Sequence, residues 1–188
     1  MTSDAALVVI DMQVVFADSG SPWGSTDFGR VQRGVQSLVA QFEDSVVFTR
    51  FVPPQIVEGS WLEYYRRWKF VENASPEIWE LVAPWQARRS VALPTFSKWG
   101  ADLEAEIAAD SEIVLCGVAT DCCVLATAFA AIDAGRDVRV VADACGGGSV
   151  EQQKEALNLM SRRFPQLTMT TVAEVIGEGW ATPLDVNG

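Results

Sequence analysis

Short apolar runs recur along the chain, and their length and β-branched content indicate strands rather than helices. The first run, residues 6–10, is apolar at every position and ends at Asp11, as expected of a parallel strand buried on both faces. Four later runs share this signature, and another is weaker. The four are residues 45–51, 113–117, 138–142 and 167–170, and the weaker one is 90–93. The pattern therefore predicts about six strands.

Between these runs, apolar residues follow helical spacing. Residues 28–42 place Val31 and Val35 on one face, and Asp27 stands where an N-terminal cap is expected. The same spacing predicts helices over residues 101–109, 123–134 and 150–164. Gly135 is expected to stop the second of these. Strands alternating with helices predict a doubly wound three-layer α/β/α fold with a mainly parallel sheet.

One region interrupts this alternation. Residues 52–85 are rich in aromatic residues and prolines, and such long connections in α/β domains shape ligand sites at the carboxyl ends of the strands. The chain, 1–188, is interpreted as one domain with its core over about residues 6–176. A short carboxyl-terminal tail from residue 177 is expected to be partly loose.

The composition narrows the classes of partner. With 25 acidic and 14 basic residues the net charge is −11, and no segment carries a basic stripe, which argues against nucleic acid as a partner. No apolar run approaches the ~20 residues of a membrane span, and the amino terminus lacks the features of a signal peptide. A cytoplasmic protein with four free thiols and no membrane partner is expected.

The absence of histidine is the most restrictive feature of the composition. It excludes Ser-His-Asp and Cys-His catalysis and every metal site that needs imidazole. Acid and base chemistry must then come from Asp, Glu, Lys, Tyr or Cys side chains or from a terminus. Neither a metal nor an organic cofactor is expected.

The strongest local candidate for a nucleophile is Cys123. The segment Cys116-Gly-Val-Ala-Thr-Asp-Cys-Cys-Val124 leaves a predicted strand and directly opens a predicted helix. In the first turn of a helix, the helix dipole and unpaired amide groups favour thiolate and lower the pKa of a thiol. The same amides can bind an oxyanion. A buried structural cysteine remains the alternative, and for a lone cysteine it is the commoner case.

Two charged residues lie just beyond other predicted strands. Asp11 ends the first strand, where a carboxylate can act as a base for a thiol or can cap the following turn. Lys98 follows residues 90–93 and could hold an ammonium close to both groups. Most single lysines are merely solvated, so Lys98 is uninformative without its neighbours.

Taken together, three motifs resemble the isochorismatase-like cysteine hydrolase superfamily over roughly residues 6–175. They are Val9-Ile-Asp-Met-Gln13, a lysine beyond the third strand, and Gly117-Val-Ala-Thr-Asp-Cys-Cys-Val-Leu-Ala-Thr-Ala128. The resemblance implies a catalytic triad of Asp11, Lys98 and Cys123. It also implies a cis peptide bond between Val118 and Ala119, and an oxyanion hole formed by the amides of Ala119 and Cys123.

The chain departs from that family in two places. Nicotinamidases of the family hold a zinc or related ion with an aspartate and two histidines, so the lack of histidine implies a metal-independent member. The segment Trp99-Gly-Ala-Asp-Leu103 lacks the Tyr-Ser-Ala-Phe run that many members have there. This second departure concerns the substrate pocket rather than the triad. Family members are often dimers or tetramers, so a homodimer or homotetramer is expected.

The predicted function is cysteine-dependent hydrolysis of a small-molecule amide, imide or carbamoyl C–N bond through an acyl-cysteine. One alternative is an isochorismatase, which cleaves a vinyl ether and need not use the cysteine. Another is a non-catalytic binding or redox protein that uses a cluster of Cys116, Cys122, Cys123 and Cys145. Aromatic residues expected to line a pocket are Phe16, Trp23, Trp61, Trp68 and Trp99, although core or interface packing is the commoner role for each of them.

Overall fold

The computed structural model describes residues 5–177 and contains a six-stranded sheet in the order β3-β2-β1-β4-β5-β6. Every neighbouring pair of strands is parallel. The strands are β1 (Ala5–Ile10), β2 (Val46–Phe51), β3 (Ser90–Leu93), β4 (Glu112–Val118), β5 (Val138–Gly146) and β6 (Leu167–Thr170). The predicted doubly wound α/β fold is confirmed, and the sheet is wholly rather than mainly parallel.

Helices cover both faces of this sheet. They are α1 (Val14–Ala17), α2 (Phe28–Phe42), α3 (Trp61–Arg67), α4 (Ala101–Glu104), α5 (Leu125–Asp133), α6 (Val150–Ser161) and α7 (Val172–Gly177). Strand β1 lies near the centre and sends alternate side chains into two cores. Leu7 and Val9 join the core beneath α2, whereas Val8 and Ile10 join the core beneath α5 and α6. This division explains why residues 6–10 are apolar at every position.

Two predicted helices end earlier than their spacing indicated. The helix expected over residues 101–109 stops at Glu104, and the chain continues in tight turns in which the Ile107 amide donates to Glu104 O. These turns still bury Leu103 and Ile107, which produced the helical pattern. The helix expected over residues 150–164 stops at Ser161, because a residue that precedes proline, here Phe164, is disfavoured in helical conformation.

The predicted helix over residues 123–134 begins differently and ends as expected. A π-helical turn, Thr120–Val124, precedes α5, and Gly135 follows the helix with a positive φ of 81°. The expected cap at Asp27 is wrong. Asp27 has a left-handed φ of 54°, and its side chain makes no capping hydrogen bond to α2. Its carboxylate instead accepts from Arg30 Nε at 2.9 Å, so the ion pair takes the place of the cap.

Strand order reverses between β1 and β4, and their carboxyl ends border the crevice where α/β sheets bind ligands. The two backbones approach so closely that a Cβ on Gly117 would lie 2.1 Å from Ile10 O. Gly117 also has a φ of 113°, a conformation that favours glycine. The close approach brings the residues that follow β1 and β4 to the same place.

The connection over residues 52–85 is elaborated, as predicted, and contains α3 and two 3₁₀ turns, Lys69–Asn73 and Pro76–Trp79. Gln13 ties it to the sheet, because its Nε2 donates to Trp79 O at 2.6 Å and to Phe51 O at 2.9 Å. Of the predicted tail, residues 178–188 lie outside the described part of the chain, as do residues 1–4, which bear on the expected lack of a signal peptide. Within residues 5–177, each helix is too short or too polar to cross a membrane.

Candidate active site

Asp11 is completely buried at the carboxyl end of β1 and has a left-handed φ of 47°. Thr49, on the neighbouring strand β2, donates its hydroxyl to Asp11 Oδ1 at 2.7 Å. The same hydroxyl accepts the Asp11 backbone N–H at 3.3 Å. A single threonine therefore contacts both the carboxylate and the backbone of Asp11.

Lys98 is also completely buried, in the loop after β3, and its Nζ lies 3.2 Å from Asp11 Oδ2. The ammonium donates to Thr95 O and lies 4.9 Å from the ring centroid of Phe51. A fully buried ion pair requires such partners. Removing each ion from water costs several kcal/mol, and the attraction between the two charges has to offset that penalty. A carbonyl oxygen, a carboxylate and an aromatic face thus replace the solvent around Lys98.

Cys123 lies in the π-helical turn after β4 and is 4% exposed. Thr127, one turn further on, joins it to the lysine loop. The Thr127 hydroxyl donates to Cys123 O at 2.6 Å and accepts the Lys98 backbone N–H at 2.9 Å. The loop after β3 and the turn after β4 are therefore held together at the backbone of both residues.

The surroundings of Cys123 raise the pKa of its thiol well above the ordinary value. A hydrogen bond with the Cys122 thiol, burial, and the negative charge of Asp11 all raise this pKa, and the positive charge of Lys98 lowers it. The expectation that the helix start lowers the pKa of Cys123 is therefore wrong for the resting protein. The hydrogen bond with Cys122, burial and the nearby carboxylate together outweigh Lys98. The resting site holds a thiol beside a carboxylate rather than a thiolate.

The backbone before Cys123 is tightly organised. The peptide bond between Val118 and Ala119 is cis, and Ala119 O accepts from the amides of Cys122 at 3.0 Å and Val124 at 3.1 Å. Asp121 Oδ1 accepts the Gly148 amide at 2.9 Å, which links the turn to the loop before α6. The turn is thus attached both to β4 and to the end of β5.

An aromatic layer lies over this corner of the sheet. Trp23 is its centre, with its ring centroid 5.6 Å from that of Phe51. Within residues 5–177, the other rings within 6.5 Å of Trp23 belong to Phe16, Tyr64, Trp68, Phe70 and Trp79. Trp61 lies 6.4 Å from Phe51 and 4.8 Å from Phe96. Four of the five predicted pocket residues, Phe16, Trp23, Trp61 and Trp68, therefore belong to this layer.

The fifth residue, Trp99, lies elsewhere. It packs against the core beneath α5, and its ring lies 5.4 Å from the guanidinium of Arg136. Although Trp99 follows Lys98 in sequence, the loop turns so that the two side chains enter different surroundings.

Tyr64 is a residue of this site that the sequence did not single out. It lies on α3, half-buried, with its ring 5.2 Å from Trp61 and 5.5 Å from Phe96. Burial is the main cause that raises the pKa of Tyr64, and the neighbouring Cys122 and Cys123 act in the same direction. The phenol therefore stays protonated and close to the two thiols. Its only signal in the sequence was membership of an aromatic segment.

Thr49 and Thr127 were also missed as site residues. Thr49 is a polar residue within an otherwise largely apolar strand, and Thr127 belongs to the motif that follows Cys123. A buried hydroxyl needs hydrogen-bond partners. A threonine within an apolar strand, or within the motif after Cys123, therefore indicates a polar contact inside the protein.

The side chains do not form the zinc site found in some members of the family that the sequence resembles. The chain has no histidine, and within residues 5–177 no group of three Cys, Asp or Glu side chains is arranged to hold a metal ion. The four cysteines are free thiols and do not form the alternative metal cluster among the described residues.

Comparison with known proteins agrees with the fold. A family model described as the isochorismatase domain matches residues 5–174. Isochorismatase domain-containing protein 2 of Xenopus laevis is 45% identical over 56 residues, which span 30% of this chain and only 27% of that protein.

Two solved structures have the same fold. A cysteine hydrolase from Pseudomonas syringae pv. phaseolicola has a TM-score of 0.74 at 20% identity, over 93% of this chain and 91% of that one. A pyrazinamidase from Pyrococcus horikoshii, in complex with zinc, has a TM-score of 0.68 at 23% identity, over 89% and 99% of the two chains. Likeness at these identities shows the fold alone.

Proposed function

Because this chain belongs to the isochorismatase family of hydrolases, we propose that it hydrolyses a small-molecule amide, imide or carbamoyl C–N bond through an acyl-cysteine intermediate. The observation that supports this most directly is the buried ion pair of Asp11 and Lys98, whose charges act in opposite directions on the Cys123 thiol. A thiol with a raised pKa next to a buried ion pair, at the switch point of an α/β sheet, is typical of a catalytic site.

The first half of the reaction uses the resting thiol and carboxylate. Asp11 Oδ2 accepts the Cys123 proton as the sulfur bonds to the carbonyl carbon, and the C=O electron pair moves onto the oxygen. The amides of Ala119 and Cys123 donate hydrogen bonds to that oxyanion. When the oxyanion collapses, the C–N bond breaks, and Asp11 returns the proton to the departing nitrogen.

The second half uses the same carboxylate. Asp11 accepts a proton from water as the water oxygen adds to the thioester carbonyl. Collapse then breaks the C–S bond, and the sulfur regains a proton from Asp11. The Lys98 ammonium stabilises the carboxylate in the acylated and the free enzyme through the ion pair of 3.2 Å.

The substrate class is proposed from the aromatic layer. Trp61, Tyr64 and Phe96 are half-buried and lie beside the corner that holds Cys123, so they offer ring faces together with one hydroxyl. Such a surface suits a planar, weakly charged acyl group. No metal step belongs to this scheme, since the donor set does not fit a metal ion.

The test is hydrolysis of a panel of small amides, imides and carbamoyl compounds, with one vinyl ether included. Ammonia release is measured for the amides, and product formation is measured by mass spectrometry for every compound. Cys123→Ala should abolish turnover with the thermal transition unchanged, whereas Cys122→Ala should retain substantial activity. Turnover should be the same with and without EDTA. Equal loss in both cysteine variants, cleavage of the vinyl ether alone, or inactivation by EDTA with rescue by zinc would each contradict the proposal.

A further inference from the structure

Thr49 is completely buried in β2 and directs its hydroxyl at one residue, Asp11. The hydroxyl donates to Asp11 Oδ1 at 2.7 Å and accepts from the Asp11 N–H at 3.3 Å. One side chain thereby holds both the carboxylate and the left-handed backbone of the residue assigned as the base.

This contact makes the two carboxylate oxygens unequal. Oδ1 is taken by Thr49, whereas Oδ2 lies 3.2 Å from Lys98 Nζ and has no hydrogen bond within residues 5–177. A carboxylate with one oxygen held in this way cannot rotate freely, so the other oxygen keeps its direction. Oδ2 is therefore the oxygen of Asp11 that remains available to accept a proton.

We propose that Thr49 is a positioning residue of this hydrolase, which fixes Oδ1 of Asp11 so that Oδ2 alone exchanges protons with Cys123. The role rests on the function proposed above. It differs from that of Thr127, whose hydroxyl joins the backbones of Lys98 and Cys123 and does not contact the carboxylate.

The role has a consequence for pH dependence. The charged and titratable groups on the elements around Asp11 are Lys98 in the loop after β3 and the thiols of Cys122 and Cys123 in the turn after β4, with Tyr64 of α3 beside those thiols. Replacing Thr49 by valine keeps all of them and removes the donor to the carboxylate together with the acceptor of the Asp11 N–H. Loss of the hydrogen bond to the carboxylate should therefore shift the acid limb of the reaction to higher pH.

The experiment follows acylation of Cys123 by p-nitrophenyl acetate from pH 4 to pH 9. Release of p-nitrophenolate gives the rate, and mass mapping confirms the acylated residue. In Thr49→Val the acid limb should shift to higher pH. The maximal acylation rate should fall about fivefold or more, because the Asp11 carboxylate is no longer held in one orientation. Thr49→Ser restores the hydroxyl and should return the limb to its wild-type position. Thr49→Ala removes the hydroxyl without added bulk and should repeat the shift even if the valine variant does not fold.

Thr170 supplies the matched control. It also lies in a strand, β6, is 8% exposed, and donates its hydroxyl to a carboxylate, Glu174 Oε2, at 2.9 Å. Thr170→Val loses the same kind of bond and should leave the acylation profile unchanged. Superimposable profiles for wild type, Thr49→Val and Thr49→Ala, or an equal shift in Thr170→Val, would overturn the role of Thr49. Failure of wild-type Cys123 to be acylated would instead overturn the hydrolase function, and the role of Thr49 with it.

Discussion

Two ion pairs lie at opposite edges of the sheet and differ in burial rather than in distance. At the carboxyl edge, Lys98 Nζ lies 3.2 Å from Asp11 Oδ2, and both side chains are 0% exposed. At the amino edge, where β4 and β5 begin, Arg139 Nε lies 3.0 Å from Glu112 Oε1, with the side chains 20% and 22% exposed. The separations are alike, but only the second pair retains contact with solvent.

The difference in burial changes the balance between the cost of desolvation and the gain in stability for each pair. A partly exposed pair loses less hydration than a fully buried one, and it contributes little to stability. A fully buried pair must offset a large desolvation penalty, and apolar residues of similar volume would often stabilise a fold as well or better. The Asp11–Lys98 pair is held by Thr49, by Thr95 O and by the Phe51 ring, and these contacts offset part of the desolvation penalty.

The largest expected effect comes from removing the buried cation. Lys98→Met leaves the Asp11 carboxylate buried without its counter-charge, so the free energy of unfolding should fall by about 3–5 kcal/mol and turnover by about a hundredfold or more. Arg139→Met removes the corresponding cation at the amino edge and should cost about 1 kcal/mol or less with turnover intact. Urea unfolding and the ammonia assay measure both quantities. Equal losses of stability in the two variants would remove the distinction between the pairs.

The next prediction separates the two charges of the buried pair. Asp11→Asn removes a negative charge that raises the pKa of Cys123, so the midpoint of Cys123 alkylation should move to lower pH. Lys98→Met should move it to higher pH, because Lys98 lowers that pKa. Turnover should nevertheless fall about a hundredfold or more in Asp11→Asn, since the base is lost.

The measurement is the rate of iodoacetamide alkylation against pH, with each cysteine identified by mass. Glu112→Gln is the control, since it removes a carboxylate at the other edge and should leave the Cys123 profile in place. Shifts in the same direction for Asp11→Asn and Lys98→Met would mean that these residues do not act on the thiol as an opposed pair.

A smaller effect is expected at the aromatic layer, which covers the carboxyl edge. Tyr64→Phe keeps the ring and removes a hydroxyl close to Cys122 and Cys123, so turnover should fall about fivefold, the value of one lost hydrogen bond. Tyr65→Phe removes a buried hydroxyl that has no hydrogen-bond partner within residues 5–177, and burial raises the pKa of that hydroxyl to about 12. It should leave turnover unchanged and stability equal or higher. A larger loss of activity in Tyr65→Phe than in Tyr64→Phe would mean that Tyr65, and not Tyr64, belongs to the site.

The smallest effect concerns the solvated pair. Burial raises the pKa of Glu112 above its ordinary value of 4.5, although Arg139 opposes the change. The folded protein then binds this proton more tightly than the unfolded chain, so the resulting stability is present below pH 4.5 and is lost as pH rises through the folded pKa. Denaturant unfolding from pH 4 to pH 7 should show this decline in wild type and a shallower one in Glu112→Gln. An unchanged slope would mean that Arg139 fully compensates the burial of Glu112.

Several expectations stay predictions. The homodimer or homotetramer, the small-molecule partner and the absence of a nucleic-acid partner were inferred from composition and resemblance. Size-exclusion chromatography with light scattering would decide the first of these directly.

The amino-acid sequence by itself determined the architecture and the positions of the charged residues along it. Residues 6–10 are apolar throughout because β1 is buried on both faces, and this pattern, repeated in the other strands, was enough to predict a parallel sheet. The same pattern put Asp11, Lys98 and Cys123 directly after strands or at a strand-to-helix junction.

Only the tertiary structure decided how these residues act on one another. The pKa of Cys123 depends on burial, on Cys122 and on two charges from distant parts of the chain, so local reasoning from a helix start gave the wrong direction. Thr49 lies 38 positions from Asp11 and Thr127 lies 29 from Lys98, and neither contact leaves a periodic signal. Hydrogen bonds and charge interactions depend on distances in space, and strand order sets these distances. Hydrophobic periodicity records only which face of an element is buried.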